Sequence, residues 1–137
     1  MRVRSPASRD AGEFGASEVR QAAAALAALA LLSAPAPAAV NPARVQVSAK
    51  EFFFSLSRHT VVAGPAVVEL VNFGEDPHDL RMQRIGGGRI WKTKLVYPGA
   101  YYDLEATLVP GRYRLWCSIA NHRQLGMQAV LTVVRRR

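Results

Sequence analysis

An all-β fold, a sandwich or barrel of short strands, is what this sequence predicts, and three observations carry the prediction. From Ala39 onward no apolar pattern of helical period is sustained for the length a helix needs. Alternation of apolar and polar residues recurs through the same stretch. The breakers "AGP", "IGGG", "YPG" and "VPG" set the alternating segments apart at the spacing of short strands.

The segments can be justified in order. Val45, Val47 and Ala49 alternate with polar neighbours, and Phe52, Phe54 and Leu56 repeat the pattern before the polar turn "SRHT". "AGPAVVELVNFG" opens on a Gly-Pro breaker and puts Val68 and Leu70 on one face with Glu69 on the other. In "AYYDLEATLVPG", Tyr102, Leu104, Ala106 and Leu108 oppose Asp103, Glu105 and Thr107. Along "GRYRLWC", charge will not sit in a core, so Arg112 and Arg114 face out while Tyr113, Leu115 and Cys117 face in. Met127, Ala129, Leu131 and Val133 then alternate with Gln128 and Thr132, which points Met127 inward at the start of the last strand.

Residues 39–137 suffice for a single domain with one workable core. The 38 residues before them read as a signal peptide. Behind Arg20 runs a stretch of alanine and leucine too short to span a bilayer, then Ala36-Pro37-Ala38, a small-x-small cleavage pattern with the cut expected after Ala38. Asp10, Glu13 and Glu18 place negative charge where such a segment should be basic, so the N-terminal extension points to translation starting nearer Val19. Finding Met1 intact on the precursor by N-terminal sequencing would refute that start. The expected location is therefore periplasmic or otherwise exported, with membrane contact only through the signal segment if it stays uncleaved.

Export changes the reading of the single cysteine. A lone cysteine cannot form an internal disulfide, which leaves a free thiol, an intermolecular bridge or a metal ligand. Residues 39–137 carry 14 Lys and Arg against 7 Asp and Glu, a net of +7 that favours acidic partners. Export and the scatter of these charges along the chain argue against nucleic acid.

"LWCSIANHRQLGMQAVLTVV" holds that cysteine, one of three histidines and one of three methionines. Cys117, His122 and Met127, spaced Cys-x4-His-x4-Met, offer a thiolate, an imidazole and a thioether. A trigonal His₂Cys arrangement with a weak axial Met is the ligand set of a blue-copper site, and it requires a second histidine. His78 follows a strand whose inward face is already assigned and lies beside Pro77, whereas His59 sits in a polar turn, so His78 is expected to complete the set. Met82, four residues after His78, is the rival axial sulfur and is read as packing. Taken singly, an inward cysteine is a small hydrophobe, a methionine opening a strand is core filler, and a loop histidine is solvated. Their convergence at one pole favours a metal.

"VNFGEDPHDL" and "LVPGRYRLWCSIANHRQLGM" together resemble the two metal-binding segments of the cupredoxins, the small blue (type 1) copper proteins, and the resemblance spans about Val45 to Val134. The loop spacing is similar to that of rusticyanin and sulfocyanin and close to that of azurin. The resemblance implies an eight-stranded Greek-key β-sandwich holding one copper near a pole, with His78, Cys117, His122 and Met127 as ligands. It also implies a hydrogen-bonding role for the residue after the first histidine, often Asn in the family. Here that residue is Asp79, whose ionised side chain cannot donate, although its backbone N–H can. Ser118 is the other candidate for tuning the sulfur.

Three functions compete. A copper enzyme needs further metal centres or an open position built largely of histidine, and only His59 is left over. A periplasmic copper carrier using soft ligands is the alternative, though such proteins tend to be rich in surface Met and His. An exported, monomeric, single-domain protein that passes single electrons by Cu(II)/Cu(I) cycling fits the residues best. Its route out is expected at the edge of His122, where Ile119, Ala120 and Leu125 form a small apolar patch and Arg123 steers a redox partner with an acidic docking surface.

Overall fold

Alternating burial dictates nine strands in the computed structural model, which describes residues 38–137. The expected signal segment, apart from Ala38, lies outside the described residues. The strands are β1 (Ala43–Lys50), β2 (Phe53–Leu56), β3 (Thr60–Val62), β4 (Gly64–Asn72), β5 (Arg81–Arg84), β6 (Ile90–Lys92), β7 (Tyr101–Leu108), β8 (Gly111–Trp116) and β9 (Gln128–Val134). There is no helix among the described residues.

The strands form two mixed sheets. One has the order β2-β1-β4-β7, the other β3-β9-β8-β5-β6. Most neighbours are antiparallel, but β1 runs parallel to β4 and β3 parallel to β9. Side chains alternate sides along a strand, so each sheet turns one apolar face to the other. Val47, Val68, Leu70 and Leu108 from the first sheet meet Met82, Tyr113, Leu115 and Leu131 from the second, all nearly or wholly buried. Met82, paired across from Leu115, is part of this core, in line with its reading as packing. The expected alternation holds in β7 and β8, where Leu104, Ala106, Leu108, Tyr113 and Leu115 are buried and the charged residues between them are exposed.

The count of nine differs from the eight expected. The segment after β4 is cut by Gly86-Gly87-Gly88 into two short strands, β5 and β6, while β3 is a three-residue strand that crosses to the second sheet. Tyr113 locks the turn between β7 and β8: its hydroxyl donates to the carbonyl of Val109 and accepts from that residue's N–H, both at 3.1 Å. The two segments relevant to function, 73–80 between β4 and β5 and 117–127 between β8 and β9, emerge at the same end of the sandwich.

Candidate metal centre

The β4–β5 segment is held by its own backbone before any metal is considered. Asn72, fully buried at the end of β4, donates its amide to the carbonyls of Asp76 (2.7 Å) and Val96 (2.9 Å) and accepts from Gly74 N–H (2.8 Å). His78 and Val96 then exchange two backbone hydrogen bonds, at 3.0 and 2.8 Å, so the main chain of His78 is fixed on both sides. Glu51, just past β1, closes the segment. Its Oε1 accepts from the N–H groups of Glu75 (2.9 Å) and Asp76 (2.8 Å) and from Nε2 of His78 (2.9 Å). A Cβ at Gly74 would run into the Glu51 carboxylate and push it off these donors.

These bonds decide which nitrogen of His78 is free. With Nε2–H committed to Glu51, the lone pair lies on Nδ1, which is buried and has no hydrogen-bond partner. An unpartnered buried polar atom is costly, and a metal ligand in waiting accounts for it.

The β8–β9 segment supplies the other donors. Cys117 continues the inward phase of β8 and is buried. The chain then turns tightly, with His122 N–H donating to Ile119 O (3.0 Å) and Met127 N–H donating to His122 O (3.0 Å). Gly126 sits at a positive φ of 119° with the Phe52 carbonyl 3.1 Å from where a side chain would begin. Cys117 N–H donates to Met127 O at 3.1 Å, so the two sulfur residues are neighbours at the mouths of their strands.

The ligating atoms of His78, Cys117 and His122 all lie within 4.8 Å of one another, and all three residues are buried. Sγ of Cys117 is 3.7 Å from Nδ1 of His122. The imidazoles of His78 and His122 meet edge to face at 5.2 Å, and the ring of Phe52 covers His122 at 4.7 Å. The structure therefore brings three of the four expected residues into one cluster. It places Met127, fully buried, beside them through its bonds to Cys117 and His122. His59 is exposed, and its carbonyl accepts from Thr132 N–H, five positions along β9 from Met127, or about 16 Å at the rise of a strand.

Asp79 joins the two segments. Its carboxylate accepts from Ser118 N–H at 2.6 Å, from the Ser118 hydroxyl, and from Arg81 Nε at 3.2 Å. Burial works to raise its pKa, but the Ser118 and Arg81 donors outweigh burial and hold the carboxyl below its ordinary value. For Cys117 the balance is reversed: burial pushes the thiol up, more than the backbone N–H groups of Asp79 and Ile119 pull it down. At neutral pH the thiol is protonated and would give up its proton on binding a metal. Glu51 is held down to about 2, chiefly by the Asp76 N–H.

Glu51 and Asn72 are the residues the sequence did not reveal. Asn72 lies within "VNFGEDPHDL" but not at a position that the spacing of the ligands singles out, and Glu51 lies in no recognisable motif, 27 positions from the histidine it contacts.

The donor set fits copper. Two imidazoles, a thiol and an adjacent thioether are borderline-to-soft ligands, buried together with no carboxylate, the donor harder ions prefer, among the clustered atoms.

No family model matches the sequence, and no curated protein matches it. Solved structures do. Reduced auracyanin from the photosynthetic bacterium Roseiflexus castenholzii is 17% identical with a TM-score of 0.55, the match covering 70% of this chain and 99% of that one. A purple cupredoxin from Nitrosopumilus maritimus is 17% identical with a TM-score of 0.51, covering 65% of this chain and 98% of the other. A blue copper oxidase from Nitrosomonas europaea is 16% identical with a TM-score of 0.54, covering 71% of this chain but only 40% of that larger one. Small copper proteins match almost end to end, the oxidase through a part of its length, and the described chain has the cupredoxin fold.

Proposed function

We propose that this chain is a single-copper electron carrier working outside the cytoplasm, with His78, Cys117, His122 and Met127 as its ligands. The observation that carries the reading is the buried cluster of His78, Cys117 and His122, with Nδ1 of His78 left without a partner. Bound copper would supply a one-electron Cu(II)/Cu(I) couple. The protein's part is to keep the donors nearly still between the two states. Glu51, Asn72 and Val96 fix His78, while the Asp79–Ser118 bonds tie its segment to the one carrying Cys117. Burial of all three donors excludes solvent, so little rearranges when the electron moves.

A non-catalytic role fits the residues around the cluster. Phe52 packs over His122, and no further histidine stands near the site among the described residues. Export rests on the apolar run behind Arg20.

The test is to add Cu(II) to a protein comprising residues 39–137. An intense blue colour with a narrow copper hyperfine splitting, lost in Cys117→Ser, is expected, and a colourless protein would refute the site. Reversible one-electron voltammetry without copper transfer to an apo acceptor would favour a shuttle. Ready transfer with no reversible couple would favour the copper carrier.

A further inference from the structure

The two sheets differ sharply in charge. The four strands of the first carry Arg44 and Lys50 against Glu69, Asp103 and Glu105. The five strands of the second carry Arg81, Arg84, Lys92, Arg112 and Arg114 and not one carboxylate. Strand pairing gathers these residues: Lys92 lies directly across from Arg81, Arg81 across from Trp116, and Arg114 across from Gln83, the residue next to Arg84. Residues dispersed along the sequence thus become one basic surface.

On this face a surface pocket of about 200 Å³ is lined by Arg84, Arg114, Arg123 and Trp116, with the Gly86-Gly87 backbone at its edge, and it reaches toward the metal end through Trp116 and Arg123. Arg123 lies over the Trp116 ring at 5.1 Å, and Arg84 is positioned by a 3.2 Å bond to the Pro110 carbonyl. Among the described residues none of the three arginines has a carboxylate within salt-bridge distance; the only pairs are Glu51–His78 and Asp79–Arg81. Like charges collected in a pocket without a counter-ion cost free energy, which an incoming carboxylate would recover.

We infer that this face, centred on the Arg84–Arg114–Arg123 pocket, is the docking surface for an acidic redox protein. The inference rests on the electron-carrier reading and moves the contact away from the Ile119–Leu125 patch. Guanidinium groups match carboxylates in a fork geometry, and arginine and tryptophan are the residues that dominate protein interfaces. Trp116 is one peptide bond from Cys117, so a partner seated here lies close to the sulfur. The charge is spread over several strands rather than held in one phosphate-sized cradle, which favours a protein surface.

The test uses the copper-loaded, reduced, ¹⁵N-labelled chain titrated with a soluble c-type cytochrome of net negative charge, and separately with phosphatidylglycerol vesicles. Amide shifts are expected at Arg84, Arg114, Trp116 and Arg123. Association should weaken roughly tenfold or more in Arg84→Gln/Arg114→Gln/Arg123→Gln, and also on adding salt, while Arg44→Gln on the opposite sheet changes nothing. Should the triple variant not fold, Arg114→Glu at an exposed strand position is expected to weaken association in the same direction. Shifts centred on Ile119, Ala120 and Leu125 with unchanged affinity in these variants would overturn the inference, as would binding to the vesicles in preference to the cytochrome. Voltammetry of the unmodified protein separates the two readings: a reversible couple without cytochrome binding sinks only the docking surface, and binding without a couple sinks only the carrier.

Discussion

The carboxylate of Glu51 and the imidazole of His78 stand 2.9 Å apart across 27 positions of sequence, and the same Oε1 atom holds the backbone N–H groups of Glu75 and Asp76. One oxygen thus sets both the orientation of the ring and the shape of the segment that bears it. Partners of this kind typically account for about 10- to 100-fold in metal affinity. Glu51→Ala is expected to weaken copper binding by that order in a chelator competition. Gly74→Ala should act in the same direction by pushing the carboxylate off its donors. Affinity unchanged in both would mean that His78 is held by its Val96 bonds alone.

Asp79 predicts a shift in potential. The residue is buried, ionised, and bonded to Ser118 beside the sulfur, so its charge favours the more oxidised metal. Asp79→Asn keeps an acceptor for Ser118 N–H and removes the charge. The reduction potential should rise by roughly 50–100 mV, a fraction of the Coulomb energy of one charge a few ångströms away at an effective dielectric near 20, less the part Arg81 already offsets. Voltammetry showing no rise would remove the electrostatic role assigned to this residue.

Acid should unfold the metal-free protein through the same carboxylates. Glu51 is held down to about 2 and Asp79 lies below its ordinary value, so the unfolded chain takes up protons at a higher pH than the folded one. Their contribution is complete above the ordinary carboxylate range and is lost as pH falls from there toward about 2. Urea midpoints followed over that window should drop with pH, and less steeply in Glu51→Gln than in the unmodified chain.

Copper loading should release a proton. Burial keeps Cys117 a neutral thiol at pH 7, and the thiolate is the ligand. Calorimetric titrations in buffers of different ionisation enthalpy should report about one proton per copper, and apparent affinity should gain about tenfold per pH unit while the thiol stays protonated. Cys117→Ser should show no such release at neutral pH.

Tyr113→Phe removes both bonds to Val109 in the β7–β8 turn without changing the packing of the ring. A loss of about 1–2 kcal/mol in urea unfolding is expected, with the slope unchanged.

Much of the site could be read in advance because its donors are scarce and strand phase is strict. With one cysteine and three histidines there were few combinations to weigh, and the alternation around Arg112 and Arg114 put Cys117 inside. What stayed hidden depended on which strands became neighbours. Nothing local to Glu51 announces that the end of β1 will lie against the β4–β5 segment, because the parallel pairing of β1 with β4 brings them together. Arg112 and Arg114 on β8 were legible as outward, but Arg114 joining Arg84 in one pocket depends on the β5–β8 register. The parallel β3–β9 pair and the short strand β6 follow likewise from tertiary packing rather than local pattern.

The Asp79–Ser118 link, 39 positions long, makes the pocket a product of the whole fold. Contacts between distant parts of a chain form late, because closing the intervening loop costs entropy first, and a topology with two parallel pairings is rich in them. Until the sandwich closes, His78 and Cys117 have no reason to meet. The complete set of donors therefore exists only in the closed sandwich, and a metal could meet all of them only there.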